Sequence, residues 1–244
     1  MRKRNLLIAV TVGLVSVVAA AGIASAAVTG QTYSSVAQKT KQNKKTRGPV
    51  GSFATDVRTT FNGFGPRATQ TVLTFDRDYK FDPGKLPQCN TASLVGKDAA
   101  GARAACPKSV VGQGSAVLTT ALGSNLNAVV TAFNGVRSGG NPTILLHTDV
   151  QGSTTKPILT GTLTGRVLTV SVPLTPGVEI SDFQTTINQL VTKKKRNKKT
   201  GKLVKTFYVS AKCSHGTWNH SETTTYENGT STTAAFSQKC KKKK

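Results

Sequence analysis

Apolar and polar side chains alternate from residue 53 onward, as they do in β-strands that bury one face. Phe53, Val57 and Phe61 share one phase of the two-residue period, and Asp56 and Arg58 lie on the other. No stretch has the spacing of a long amphipathic helix. The pattern therefore predicts a chain built mostly of strands, the first of which begins near residue 52.

Turn-forming residues divide the rest of this region into short strands. The predicted strands cover 69–75, 110–122, 126–133, 143–150, 158–163, 166–172, 180–190 and 202–213, with Tyr79 and Phe81 beyond a kink. Tight turns are expected at Asn134-Gly135, Thr164-Gly165 and Asn228-Gly229, because asparagine and glycine accept positive φ. Neighbouring strands should therefore form hairpins.

These segments place the chain in the all-β class. We expect a single β-sandwich or jelly-roll-like domain of about ten strands over residues 50–240. One short helix is expected from about residue 92 to 104, with Thr91 as its cap, inside an insertion bracketed by two cysteines. Two smaller domains divided near residues 173–177 are the alternative.

The first 49 residues differ in character from the rest. Three basic residues precede the apolar stretch 6–22, and small residues follow, so residues 1–26 are expected to be a signal peptide cleaved after Ala26. An uncleaved anchor is the alternative, because residues 6–28 approach the roughly 20 apolar residues that span a bilayer. Residues 27–49 hold few large apolar groups and predict a disordered basic tether. After cleavage no membrane span is expected.

The chain has four cysteines, an even number that can pair in an oxidising compartment. Pairing sequence neighbours, Cys89 with Cys106 and Cys213 with Cys240, closes the shortest loops. A zinc site is the weaker alternative, since there is no Cys-x-x-Cys and the nearby His215 and His220 have no matching pair.

The second pair constrains the path of the chain. Suppose that the strand ending at Cys213, the next strand and the strand ending at Cys240 formed a plain antiparallel meander. The two cysteines would then lie on the outer strands, two strand spacings apart, with about 9.5 Å between their Cα atoms. A disulfide tolerates only about 7 Å. The pairing therefore predicts a corner at residues 214–217, where the chain leaves the sheet.

The net charge of +23 is concentrated in a few runs. Without residues 1–26 the chain keeps 30 basic and 10 acidic residues, and 18 of the basic ones lie in 39–47, 193–205 and the segment from Lys239 to Lys244. Residues 193–201 are expected to form a basic loop between two strands, and we expect it to contact polyanions through Lys193, Lys194, Lys195, Arg196, Lys198 and Lys199. Anionic wall polymers or anionic lipid are the expected partners, and a merely solvated loop and tail (241–244) are the alternative. Without interleaved aromatic residues, sequence-specific nucleic-acid binding is not expected.

Sequence motifs do not predict catalysis or a cofactor. The common hydrolase signatures are absent, and His147 and Asp149 share a strand face without a serine elbow around Ser115, so a partly exposed polar face is expected there. Asp76, Asp78 and Asp82 resemble a calcium loop only loosely, because its glycine and distal glutamate are missing. These acids are expected to form turns, and no catalytic, cofactor or metal site is predicted.

Two groups of motifs bear a family resemblance. Leu86-Pro87-Gln88-Cys89, Ala105-Cys106-Pro107 and the segment 111–116 are one group, and the residues between Cys213 and Cys240, with Trp218 and Tyr226, are the other. Together they resemble exported β-rich proteins of high-GC Gram-positive bacteria that have no established activity. The resemblance implies a fold and a compartment, but no catalytic residues.

The sequence therefore predicts an exported, non-catalytic structural or binding protein of the cell envelope or exterior. Two alternatives use the same fold. A secreted hydrolase would use His147 and Asp149 with a residue from a distant strand. A carbohydrate-binding module would use Trp218 and Tyr226, which share a strand phase and could equally belong to the core.

Overall fold

The structure is a computed structural model that describes residues 28–37, 44–45, 47–50, 53–61, 63–187, 195–196, 201, 203–204 and 208–240. The predicted signal peptide (1–26) and basic tail (241–244) lie outside these residues. The strands are β1 (Val28–Ala37), β2 (Gly48–Pro49), β3 (Phe53–Phe61), β4 (Ala68–Thr74), β5 (Tyr79–Phe81), β6 (Val110–Thr120), β7 (Asn125–Ser138), β8 (Asn141–Val150), β9 (Ile158–Thr164), β10 (Val167–Ser171), β11 (Val178–Ile187), β12 (Lys195–Arg196), β13 (Leu203–Val204), β14 (Val209–Ala211), β15 (Thr217–Tyr226) and β16 (Ser231–Lys239). The described helices are α1 (Ala99–Ala105) and the 3-10 turns Pro83–Lys85 and Thr91–Ser93.

Eleven strands form one antiparallel sheet, in the order β1-β3-β11-β6-β7-β8-β9-β10-β4-β15-β16. The sheet curls until its edge strands, β1 and β16, lie side by side. A three-stranded sheet, β2-β14-β5, adds Tyr79, Phe81 and Val209 to the same hydrophobic core. The prediction of an all-β fold is confirmed, and the opposite halves of the curled sheet supply the two facing layers.

Side chains, and not a backbone ladder, join the two edges of the sheet in the part of the chain described. The side-chain oxygen Oε1 of Gln238 accepts a hydrogen bond from the backbone amide of Ala37 at 3.0 Å. The side-chain nitrogen Nε2 of Gln238 donates to the backbone carbonyl of Ala37 at 2.9 Å. Six residues earlier on each strand, the Thr232 hydroxyl donates to Gln31 Oε1 at 2.6 Å. Because ten antiparallel steps separate β1 from β16, the two edges run parallel.

The disordered tether predicted over residues 27–49 is wrong for Val28–Ala37, which forms β1, and for Gly48–Pro49, which forms β2 and pairs with β14. Nearly the whole strand pairs with β3, and Tyr33, Ser35 and Ala37 alternate on its buried face. The sequence prediction counted only large apolar groups. Here ladder hydrogen bonds and the burial of one aromatic ring stabilise a strand of small polar residues.

The insertion between Cys89 and Cys106 covers the outer face of β7 and β8. The predicted single helix is wrong in its bounds, since the segment forms the 3-10 turn capped by Asn90 and then α1 capped by Asp98. Leu94 and Ala102 of the insertion pack in a second buried cluster with Phe133 and Leu145 of the sheet. The disulfide Cys89–Cys106 closes the insertion at its base.

The turn predicted at Asn134-Gly135 is also wrong, because β7 continues through both residues. Asn134 is buried and donates its amide protons to the carbonyls of Pro83, Leu86 and Pro87 at 3.1 to 3.2 Å. A Cβ on Gly135 would lie 2.2 Å from the Thr143 hydroxyl. The hydrogen bonds of Asn134 hold the segment that precedes the insertion on the sheet. The turn lies at Gly139 and Gly140, both with positive φ. The turns predicted at Gly165 and Gly229 are confirmed.

The corner predicted at residues 214–217 is confirmed. Cys213 follows β14 of the small sheet, whereas β15 pairs with β4 and β16 in the large one. Cys213 and Cys240 are bonded, with their Cα atoms 5.8 Å apart. All four cysteines are paired as predicted, which indicates an oxidising, non-cytoplasmic compartment. None of the described helices has the length and apolar character needed to span a membrane.

Candidate functional site

A cavity of about 100 Å³ lies inside the curled sheet. Strands from both halves of the sheet line it, because alternate residues of each strand point inward. Most of its walls are aliphatic or aromatic, among them Phe53, Leu146, Val170 and Phe183. The strand periodicity placed Phe53 on the apolar phase of its strand, but it did not predict that the lining residues leave room between them.

Threonines supply the polar part of the cavity wall. Thr71 of β4 and Thr224 of β15 face each other with their hydroxyl oxygens 3.0 Å apart, and both line the cavity. The Thr224 hydroxyl donates to Oε1 of Glu222, so it must accept from Thr71. A hydrogen-bonded chain therefore leads from the cavity wall to a buried carboxyl group.

Glu222 is fully buried beside this cavity. It lies on β15 opposite Leu73, which lines the cavity, and its side chain has 0% exposure. Burial raises the pKa of Glu222 to about 7, and the hydrogen bond from Thr224 opposes that rise. A carboxyl group that changes charge near neutral pH, next to an apolar cavity, is a typical feature of a binding site.

His220 lies one inward position before Glu222 on β15. Its ring packs against Tyr79 at 4.8 Å and Phe75 at 5.9 Å between ring centroids. Burial lowers the pKa of His220 to about 4, although the nearby Asp76 opposes this shift. His220 is therefore neutral at physiological pH. Its Nδ1 accepts from the Asp76 amide at 3.3 Å, so Nε2 carries the proton.

A second buried carboxyl group, Glu179 of β11, lies near a smaller cavity of about 30 Å³ that it helps to line. Burial raises the pKa of Glu179 to about 7, opposed by a hydrogen bond from the Gly65 amide. This residue belongs to the opposite half of the sheet order from Glu222. It provides a comparison for the behaviour of Glu222.

The acids predicted to form turns hold the corner of the chain. Asp78 accepts from the Ser214 amide at 2.6 Å and from its hydroxyl at 2.7 Å, and Asp76 accepts from the Asn219 amide at 2.8 Å. Both carboxylates thus bind backbone on either side of the corner.

One atom each from Asp76, Asp78 and His215 could ligate a metal ion, since these atoms lie within 4.8 Å of one another. His215 Nε2 is 3.2 Å from Asp76 Oδ2. Asp82, the third acid of the suggested calcium loop, instead pairs with Lys80 at 2.9 Å. The carboxylate oxygens of Asp76 and Asp78 already accept hydrogen bonds from amide and hydroxyl groups. The geometry therefore favours a structural role for these two residues.

His147 and Asp149 also support the structure around them. The exposed polar face predicted for them is wrong, because the insertion covers it and His147 has 0% exposure. His147 Nε2 bonds the Lys97 carbonyl at 2.8 Å, and Asp149 Oδ2 accepts from the Ala99 amide at 2.9 Å. Lys156 also donates to Asp149. The pair therefore holds the start of α1 on the sheet.

The predicted polyanion contacts fall mostly outside the described residues. Lys193, Lys194, Lys198 and Lys199 are not among them, and only the backbone of Lys195 and Arg196 is described. These two residues form β12, which pairs with Leu203 and Val204 in a two-stranded sheet. The loop prediction is thus wrong at these two residues, where ladder pairing orders the backbone.

Sequence reasoning did not single out Glu222, and it considered His220 only as a ligand of the weaker zinc alternative. The signal was present, because both residues share the strand phase of Trp218 and Tyr226, which were candidates for the core. An acid on the buried phase of a strand indicates a polar group inside the fold.

No protein-family model, no curated protein and no solved structure matches this chain. The resemblance to exported proteins of high-GC Gram-positive bacteria therefore stays a prediction.

Proposed function

We propose that this chain is an exported, non-catalytic binding protein of the cell envelope or exterior that holds a small apolar ligand inside its curled sheet. The observation that carries the proposal is the cavity of about 100 Å³ with aliphatic and aromatic walls. Small-molecule sites are usually cavities of this kind, with a few polar groups that orient the ligand. Export is supported by the two disulfides, which persist in oxidising compartments.

The size of the cavity suits a ligand group of one ring or a short chain. An engineered protein cavity of about 150 Å³ accepts benzene, and this cavity is of the same order. Burial of apolar ligand surface contributes roughly 25 cal/mol per Å², so affinity follows without any chemical step.

The two alternative functions have less support. A hydrolase built on His147 and Asp149 would need groups that are engaged in holding α1. A sugar module would need exposed aromatic rings, but Trp218 and Tyr226 are each 2% exposed. Binding of an apolar ligand uses the apolar cavity, which neither alternative explains.

Titration with toluene tests this function. We expect toluene to bind the purified protein in calorimetry and to receive saturation transfer from its methyl groups in NMR. Val170→Phe places a ring in the cavity and should abolish binding, while the same change at Val129, which is 37% exposed on the outer face, should not. Absence of binding to the unmodified protein up to the solubility of toluene would contradict the proposal.

We also propose that the basic runs attach the protein to anionic wall polymers or anionic lipid. The observation that favours this is the separation of charge, since 18 of the 30 basic residues after residue 26 lie in three short segments. The part of the chain that forms the sheets is nearly neutral, so attachment and ligand binding would use different parts of the molecule.

A further inference from the structure

One end of the curled sheet carries three exposed arginines. Arg137 lies at the end of β7 beside the turn to β8, Arg166 lies in the turn between β9 and β10, and Arg77 lies in the turn that follows β4. The strands β7, β8, β9, β10 and β4 are consecutive in the sheet, and their antiparallel pairing brings these three turns to the same end. We call the three residues the arginine rim.

No acidic side chain pairs with the arginine rim in the part of the chain that the structure describes. The guanidinium group of Arg137 donates to the Gly140 carbonyl at 2.7 Å. Asp76 and Asp78 flank Arg77 in the sequence, but both are buried, and their carboxylate oxygens accept from backbone amides of the corner. The positive charges of the rim are therefore available to an external anion.

The opposite end of the sheet differs in charge. The connections that the structure describes there are residues 63–67, 121–124, 151–157, 172–177 and 227–230. The charged residues of these segments occur in ion pairs. Arg67 is paired with Glu227 at 2.6 Å. Lys156 is paired with Asp149 of β8. One end thus presents cations without acidic partners, and the other presents cations that are already neutralised.

The exposed apolar residues argue against a lipid surface as the partner of the rim. Binding to a lipid surface combines inserted apolar side chains with cations beside them. Among the described residues, the most exposed large apolar side chain is Leu122, which is 94% exposed in the β6–β7 turn, and Leu174 is exposed at the same end. That end is opposite the arginine rim. Beside the rim itself Val136 is exposed, and a single valine offers little area for insertion.

The spacing of the arginines favours a polymer over a single ion. The strands that carry neighbouring members of the rim are one or two strand spacings apart, about 5 to 10 Å along the sheet. A guanidinium group can donate two parallel hydrogen bonds to one phosphate. A chain of phosphates can engage several such groups at once, so that individually weak contacts reinforce one another.

The strands that precede the three basic runs end at the same end of the sheet as the arginine rim. These strand ends are Ala37 of β1, Ile187 of β11 and Lys239 of β16. Attachment through the basic runs would therefore bring an anionic partner to the end that carries the rim.

We propose that the arginine rim binds a polymer of repeating phosphate groups, so that this end of the protein faces the polymer and the opposite end faces away. The inference rests on the proposed attachment to polyanions. It names the chemistry of the partner and assigns a contact to the folded part of the chain.

Titration of the purified protein at low salt tests the contact, with linear inorganic polyphosphate as the probe. We expect polyphosphate to shift the NMR amide signals of Gly139, Gly140 and Gly165, which lie in the turns of the rim. The signals of Gly152 and Gly229, at the opposite end, should stay in place. Inorganic phosphate at the same total phosphate concentration should cause smaller shifts, because it cannot bridge the arginines.

Substitutions test the role of the side chains. Changing Arg77, Arg137 and Arg166 together to Gln should weaken polyphosphate binding about tenfold, because each exposed ion pair contributes roughly a factor of two. Arg166→Gln alone should weaken it about twofold. Arg58→Gln is the matched control, since it removes an exposed arginine that is already paired with acidic residues of β3 and β11, and it should have a smaller effect. If the triple variant does not fold, the two single variants keep the comparison.

The outcomes separate this inference from the proposed attachment. Polyphosphate binding that the triple variant leaves unchanged, with no shifts at the rim, would overturn the inference and leave attachment through the basic runs standing. Equal shifts with inorganic phosphate would overturn the assignment of a polymer. Binding to vesicles of anionic lipid that the triple variant abolishes would also overturn it. Failure of polyphosphate, vesicles and cell envelopes alike to bind the unmodified protein would overturn both.

Discussion

Glu222 makes the stability of the fold depend on pH. Burial raises its pKa from 4.5 to about 7, so the folded state binds its proton more tightly than the unfolded state does. The contribution of this group to the free energy of unfolding is fully present below about pH 4.5. It is lost as the pH rises toward 7, and the loss is on the order of 3 kcal/mol.

Glu222→Gln should therefore be more stable than the unmodified protein at pH 8 and should lose this advantage near pH 4.5. Glu179 titrates over the same range in the same direction, whereas the lowered pKa of His220 stabilises the fold as the pH rises from about 4 to 6.5. For this reason the informative quantity is the difference between variant and unmodified protein, measured by urea unfolding at several pH values. If the free energy of unfolding had the same pH dependence in Glu222→Gln and in the unmodified protein, the raised pKa that we attribute to burial of Glu222 would be contradicted.

At the scale of the elements, the side-chain seam between β1 and β16 is the weak line of the curled sheet. Gln238→Ala removes both bonds to the Ala37 backbone and should lower the free energy of unfolding by about 2 kcal/mol. Amide hydrogen exchange should accelerate in β1, while β7 and β8 at the centre of the sheet keep their protection. Gln113→Ala, an exposed position on β6, is the matched control. Unchanged exchange in β1 would show that other contacts hold the edge.

Local sequence signals predicted elements well wherever a strand has large apolar residues on one phase. They also predicted the corner at residues 214–217, since the reach of a disulfide limits the path of the chain. They failed where tertiary contacts decide. Asn134 and Gly135 have the composition of a turn, yet the carbonyls of Pro83, Leu86 and Pro87, which precede the insertion, hold Asn134 inside β7. β1 has few large apolar groups, and its position depends on the ladder to β3.

The candidate site was less predictable than the elements, because it is made by curling the sheet. Leu146 on β8 and Phe183 on β11 are separated along the chain, and both line the cavity. Periodicity can indicate which side chains of a strand face inward. It contains no information on the distance between the opposite faces, and therefore none on the cavity.

For the whole molecule, charge and ligand binding are assigned to separate parts, and the charged part can be tested independently. Attachment through exposed charges should weaken steeply with ionic strength, because the Debye length falls from about 10 Å at 0.1 M to about 3 Å at 1 M salt. We expect retention on isolated cell envelopes to fall several-fold over this range.

Changing Lys193, Lys194, Lys195, Arg196, Lys198 and Lys199 to Gln should reduce retention at low salt and leave the melting temperature and toluene binding unchanged. Deletion of residues 241–244 separates the contribution of the tail, and vesicles of anionic lipid compared with purified wall polymer distinguish the two partners. Retention that is indifferent to both salt and these substitutions would contradict attachment through the basic runs, while the apolar site would remain to be judged on its own titration.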